Sequence, residues 1–153
     1  MIVYRLCRKG YANDLSGHGA ELSGGRWNGK GLAALYTSSS RALCAIEIIV
    51  HVPAAIIPKD YHIISIEIPD NAPVKTIDIK DLPDSWNSNP ILVSTQRIGN
   101  IFLSGQKDLV LKVPSAIIKD EWNYIINPVH KDFQKVKIIS IEPFAFDTRL
   151  FKK

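Results

Sequence analysis

Two residues carry most of the chemical information in this sequence, Arg26 and Glu47. Arg26 stands in Gly24-Gly25-Arg26-Trp27-Asn28-Gly29-Lys30-Gly31. Glycines there free the backbone, and a planar guanidinium can grip a phosphate or carboxylate bidentately. An exposed arginine on a hairpin loop would satisfy the same pattern. Glu47 stands in Ala42-Leu43-Cys44-Ala45-Ile46-Glu47-Ile48-Ile49-Val50, where every neighbour is apolar. A carboxylate in such a run either lies on the wet edge of a helix or is held in a cleft by a cation or hydrogen bonds that offset its desolvation. His51, four residues on, shares its helical face and offers a local pair.

Other chemistries find less support. The glycine-rich segment contains GxxxxGK, but Gly31 occupies the position where a phosphate loop needs Ser or Thr for magnesium, and a strand rather than a helix is expected after it. His18, His51, His62 and His130 lie far apart and form no metal-binding spacing. No GxSxG is present, and neither Cys7 nor Cys44 has the surroundings of a thiol protease nucleophile. Ser115, after Val113-Pro114, falls at an expected strand end. Asn127-Pro128-Val129-His130 forms a compact polar turn, in which His130 reads as a structural hydrogen-bonding residue or a catalyst.

The elements that must position these residues follow from periodicity. Residues 2–8 alternate as a strand, and 10–31 read as a loop with a tight turn at Asn28-Gly29. Residues 32–37 read as a second strand, and Ser38, Ser39 and Ser40 are N-caps for a buried helix over 41–52. Strands are expected over 61–68 and 74–79, as antiparallel neighbours around Pro69-Asp70-Asn71. A helix is expected from Asn89-Pro90 to Leu103, stopped by Gly105, and strands over 108–113 and 136–146, with 120–126 ambiguous. The sum is one α+β domain over residues 1–153, with a mixed, largely antiparallel sheet and a few helices.

Composition bounds the setting. A chain of 153 residues with 46% hydrophobic and 22% charged residues is an ordinary globular domain. Its net charge of +4 favours an anionic partner but is modest for a nucleic-acid binder. The basic residues are scattered; Lys131–Lys137 and the terminal Lys152 and Lys153 read as solvated surface. No apolar run long enough for a membrane span is present, and two unpaired cysteines fit a cytoplasmic location.

Taken together, Tyr4-Arg5, Gly24-Gly25-Arg26-Trp27-Asn28, Leu35-Tyr36-Thr37, Ala45-Ile46-Glu47 with His51, Val113-Pro114-Ser115 and Asn127-Pro128-Val129-His130 with Phe133 resemble the RES-domain family in order and rough spacing. The family is named for an Arg, a Glu and a Ser, which match Arg26, Glu47 and Ser115. The resemblance implies an ADP-ribosyltransferase-like fold and cleavage of NAD+ at its nicotinamide–ribose bond by hydrolysis, phosphorolysis or transfer. It further implies the role of toxin in a bacterial toxin-antitoxin pair. An Xre-like antitoxin would cover the active-site cleft, in a hetero-oligomer that meets DNA only through that partner. NAD+ is then the substrate, with no resident cofactor and with inorganic phosphate as a candidate co-substrate.

On that resemblance Arg26, Tyr36, Glu47 and Ser115 form the catalytic set, and Tyr4, Arg5, Gly25, Trp27, Asn28, Asn127 and His130 bind substrate or support the pocket. Structural readings stand beside these: an Arg26–Glu47 buried salt bridge, Tyr36 as sheet packing, Ser115 as a turn. The rival functions are a non-catalytic module that binds ADP-ribose or RNA, with Trp27 among Arg26 and Lys30, and an RNA-cutting toxin with His130 and Lys131 as its acid–base pair.

Overall fold

The computed structural model describes residues 1–53 and 59–151, so the expectation for Lys152 and Lys153 lies outside the described residues. Seven strands make one sheet: β1 (Ile2–Arg8), β2 (Leu35–Ser38), β3 (Tyr61–Glu67), β4 (Val74–Thr76), β5 (Val110–Pro114), β6 (Trp122–Ile126) and β7 (Lys137–Phe144). Their order across the sheet is β4-β5-β6-β2-β1-β3-β7. Every pairing is antiparallel except β4 with β5. The mixed, largely antiparallel sheet expected from the sequence is therefore present.

The sheet is continuous but not uniform. β1 and β3 pair over seven registered residues, whereas β1 and β2 meet at a single pair, Tyr4 with Ser38. Beyond that pair the two strands part, and their diverging edges leave room between them. That parting is the main feature by which the fold creates a site.

Among the described residues three α-helices accompany the sheet: α1 (His18–Ser23), α2 (Arg41–Ile49) and α3 (Val93–Gly105). α2 begins where the serines predict, with the Ser40 hydroxyl accepting from the Leu43 amide at 3.1 Å. Its apolar stripe, Cys44, Ala45, Ile48 and Ile49, packs with Leu6, Ile63 and Phe146. α3 begins at Val93 rather than at Pro90, because Leu92 is still extended. Phe102 and Leu103 of α3 pack with Trp27, Trp86, Leu111 and Ile125 on one side of the sheet. Val3, Ile64, Ile66, Leu109 and Ile126 form a further cluster, which closes over Ala12 and Val136.

Three further expectations are corrected. β3 and β4 are not neighbours: β4 sits at the sheet's far edge, parallel to β5, because Pro69 to Pro73 turns the chain across to Val110, whose amide donates to the Pro73 carbonyl. The 10–31 stretch is not all loop, since α1 lies inside it. The tight turn falls earlier than Asn28-Gly29: the Gly25 amide donates to the Asn28 carbonyl at 2.9 Å, so Arg26 and Trp27 occupy its tip. The ambiguous 120–126 stretch resolves as β6.

Candidate active site

A cavity of about 880 Å³ opens where β1 and β2 part. Arg5, Leu6 and Cys7 form one bank and Leu35, Tyr36 and Thr37 the other; Glu47, Ile48 and His51 of α2 and its end, the Arg26 turn, Asn123 and Asn87, Asn89 and Ile91 contribute to the wall. A volume of this order suits a small-molecule ligand, for which sites span roughly 300–1,000 Å³.

Glu47 is held from behind. Its Oε1 accepts from the Ser115 hydroxyl at 2.9 Å and from the Asn123 side-chain amide at 2.6 Å. Ser115 is itself fixed, because its Oγ accepts the backbone amides of Ile117 and Ile118, both at 3.1 Å. Among the described residues Oε2 of Glu47 accepts no hydrogen bond. One oxygen is thus anchored and the other is left free. The carboxylate pairs with neither His51 nor Arg26, so among the described residues the salt-bridge alternative is not formed.

Arg26 is held through one nitrogen. Its Nη1 donates to the carbonyls of Trp86 at 2.7 Å and Ser88 at 3.1 Å, which ties the turn to the loop forming the cavity mouth. Burial lowers the guanidinium from its ordinary range, while the negative charge of Glu47 opposes that shift. A second arginine, Arg5, is held likewise, through Nη1 to the carbonyls of Tyr11 and Asp14. Two guanidinium groups braced on carbonyls, with a carboxylate beside them, make a cleft suited to an anionic ligand that develops positive charge at one point.

α3 braces the Arg26 turn. Gln96 donates to the carbonyls of Gly25 and Asn28, and Asn100, one helical turn on, accepts from the Gly29 amide at 2.7 Å. Trp27 is buried and packs against Trp86 with the rings tilted by 34° and their centroids 6.0 Å apart. Gly25 leaves space for the Tyr36 hydroxyl, which a Cβ there would approach to 2.5 Å. That hydroxyl donates to Asn28 Oδ1 at 2.7 Å and accepts from the Trp27 amide at 2.9 Å. Burial raises the Tyr36 phenol well above its ordinary range. It is neutral at physiological pH, on the cavity wall and with its oxygen already engaged.

Of the residues singled out from the sequence, Arg5, Gly25, Arg26, Trp27, Tyr36 and Glu47 line the cavity. Ser115 does not line it but touches Glu47. Asn28 supports it from outside, donating through Nδ2 to the carbonyls of Ala20 and Leu32. Tyr4 lies elsewhere, with the Arg41 guanidinium 5.6 Å over its ring. Asn127 is fully buried and donates to the Leu103 carbonyl. His130 is 3% exposed, with Nδ1 accepting from the Asp132 amide, so an acid–base pair with exposed Lys131 is not assembled. Asn123, Asn87 and Trp86 were not anticipated. For Asn123 the available signal is a poor strand former standing between Trp122 and Tyr124-Ile125-Ile126.

A pocket at a split sheet, with Arg26 and Glu47 on its walls, marks an α+β protein built on one mixed, largely antiparallel sheet. The RES domain model matches residues 2–147, and the chain belongs to the RES-domain family. It is 39% identical to "Toxin Res" of Yersinia enterocolitica over 98% of this chain and 99% of that one. It is 35% identical to the "Prs ADP-ribosylating toxin" of a Sphingobium species, covering 93% of this chain and 89% of the relative. The toxin-antitoxin complex MbcT-MbcA of M. tuberculosis contains a chain of the same fold, with TM-score 0.75 and 17% identity over 98% of this chain and 86% of that one.

Proposed function

We propose that this chain is the toxin of a bacterial toxin-antitoxin pair and that it cleaves the nicotinamide–ribose bond of NAD+. The observation that carries the reading is Glu47, anchored by one carboxylate oxygen in a cavity wall shared with Arg26 and Tyr36. Relatives that match this chain almost end to end and bear toxin names support the toxin role.

Nicotinamide departs as a neutral molecule, so the C–N bond electrons pass to the pyridinium nitrogen without help from a strong general acid. The ribose carbon becomes oxocarbenium-like and needs negative charge beside it. Glu47 Oε2 supplies that charge or holds the ribose hydroxyls. The free edge of Arg26 takes the pyrophosphate or orients the ribose, and the neutral ring of Tyr36 stacks on nicotinamide. Ser115 acts through Glu47. An incoming oxygen then bonds the ribose carbon, and its proton is lost to solvent.

A water acceptor gives ADP-ribose, phosphate gives its 1″-phosphate, and a protein side chain gives an ADP-ribosylated target. The name of the Sphingobium relative favours keeping the last as the second reading. In the cell an Xre-like antitoxin covers the cleft and brings the pair to DNA. The test is to incubate the purified chain with NAD+, with and without phosphate, and identify products by mass. Nicotinamide with ADP-ribose marks hydrolysis, a phosphate-dependent product marks phosphorolysis, and intact NAD+ with a folded protein overturns cleavage to either small acceptor.

A further inference from the structure

Ser38 and Asn123, which stand outside the Arg, Glu and Ser that name the family, form a line of side chains that ends on Glu47. Ser38 and Asn123 are registered partners on β2 and β6. The Ser38 hydroxyl donates to Asn123 Oδ1 at 2.6 Å, and Asn123 Nδ2 donates to Glu47 Oε1 at 2.6 Å. A hydroxyl can donate to the amide oxygen but a carboxylate cannot, so the two ends of Asn123 are told apart by their partners. Ser38 is 4% exposed and sits at the one point where β1 and β2 touch, which is the hinge of the cleft.

Two donors, Asn123 on β6 and Ser115 just past the end of β5, converge on the same oxygen of Glu47. Because Oε1 is occupied twice, the carboxylate is fixed in rotation about its last bond. Oε2 is the oxygen left to meet substrate. Ser115 alone would anchor Oε1 at one point and leave that rotation soft; the second donor removes it.

We propose that Asn123, with its amide orientation set by Ser38, is a positioning residue that fixes which oxygen of Glu47 acts on the bound substrate. The inference rests on the NAD+ cleavage reading for its functional meaning. Loss of the second donor should let the carboxylate swing, and misplacement of a reacting group by about 1 Å can cost roughly 100-fold in rate. Asn123→Asp places a second carboxylate against Glu47 and should cost at least as much.

The experiment measures steady-state nicotinamide release by the full chain and its Asn123→Ala, Asn123→Asp, Ser38→Ala and Ser38→Thr variants, with melting temperatures. The expected result is a kcat lower by roughly 100-fold in both Asn123 variants with KM for NAD+ little changed. Ser38→Ala should show a smaller loss, and Ser38→Thr, which keeps the donor hydroxyl, should recover it. Wild-type kcat in both Asn123 variants, in a preparation that Glu47→Gln inactivates, overturns this inference and leaves the cleavage reading intact.

If the wild type releases no nicotinamide, the cleavage reading fails by itself, and the positioning geometry is read from the side-chain amide of Asn123 by NMR. A bond to a carboxylate should displace one of its two proton signals strongly downfield, and Glu47→Ala should return it. Ordinary amide signals in the wild type overturn the inference.

Discussion

Gly99 of α3 lies so close to Trp27 that a Cβ on it would stand 1.7 Å from the Trp27 carbonyl oxygen. That contact lets Gln96 and Asn100, on either side of Gly99, reach the backbone of the turn that carries Arg26. The helix and the turn therefore behave as one support. In an exposed helix Gly→Ala would gain about 0.5–1 kcal/mol. Here the obstacle is backbone and cannot move aside, so Gly99→Ala should instead destabilise by about 1–3 kcal/mol, the usual range for overpacking. Urea denaturation reads the stability, and nicotinamide release should fall with it as Arg26 is displaced. A variant at least as stable and as active as the wild type would show that α3 does not brace the turn.

Arg26→Lys should separate charge from geometry. A lysine keeps the positive charge but has no planar fork with which to hold both Trp86 and Ser88 carbonyls and still face the cavity. Catalytic efficiency should drop by roughly 100-fold. Amide hydrogen exchange in the 84–91 loop should rise, because that loop loses its tie to the turn. Unchanged exchange with lost activity would assign Arg26 to substrate contact alone.

Ser115 links Glu47 to the backbone amides of Ile117 and Ile118. Ser115→Ala leaves those part-buried donors without their oxygen, at a cost on the order of 1 kcal/mol. A fall in melting temperature together with a roughly 10-fold lower kcat is expected, because Asn123 still holds Oε1. Activity lost beyond that of Glu47→Gln would point to a direct contact between Ser115 and substrate.

Much of this arrangement is legible in the sequence, and the parts that are not have identifiable causes. Ser40 and the apolar stripe of Cys44, Ile48 and Ile49 announce α2, because capping and periodicity are local properties. Glu47 stands out because a carboxylate among apolar neighbours needs partners. Which partners it has is a non-local fact: Ser115 is 68 and Asn123 is 76 residues away. The place of the short β4 is hidden for the same reason, since a turn at Pro69 to Ala72 shows where the chain bends and not which strand it joins. α1 was hidden by Gly17, Gly19 and Gly24, which punctuate a six-residue helix as they would a loop.

Cys44 offers a pH test. Burial raises its thiol from the ordinary 9.0 to about 11, while hydrogen bonds to Ser38 oppose that rise. The folded state therefore holds the proton where the unfolded chain releases it, so this contribution to stability is complete below pH 9.0 and is lost as pH rises toward about 11. Stability should decline over that window, with a shallower decline in Cys44→Ala. At pH 8, alkylation of Cys44 should be slow in the native protein and fast in urea. Equal rates in both would show the thiol to be accessible.

The most direct test of the account follows intracellular NAD+ after the chain is expressed without a partner, beside the Glu47→Gln variant at equal protein level. The account predicts that NAD+ collapses before growth stops with the wild type and holds steady with Glu47→Gln. Growth arrest by the wild type with NAD+ unchanged would contradict it.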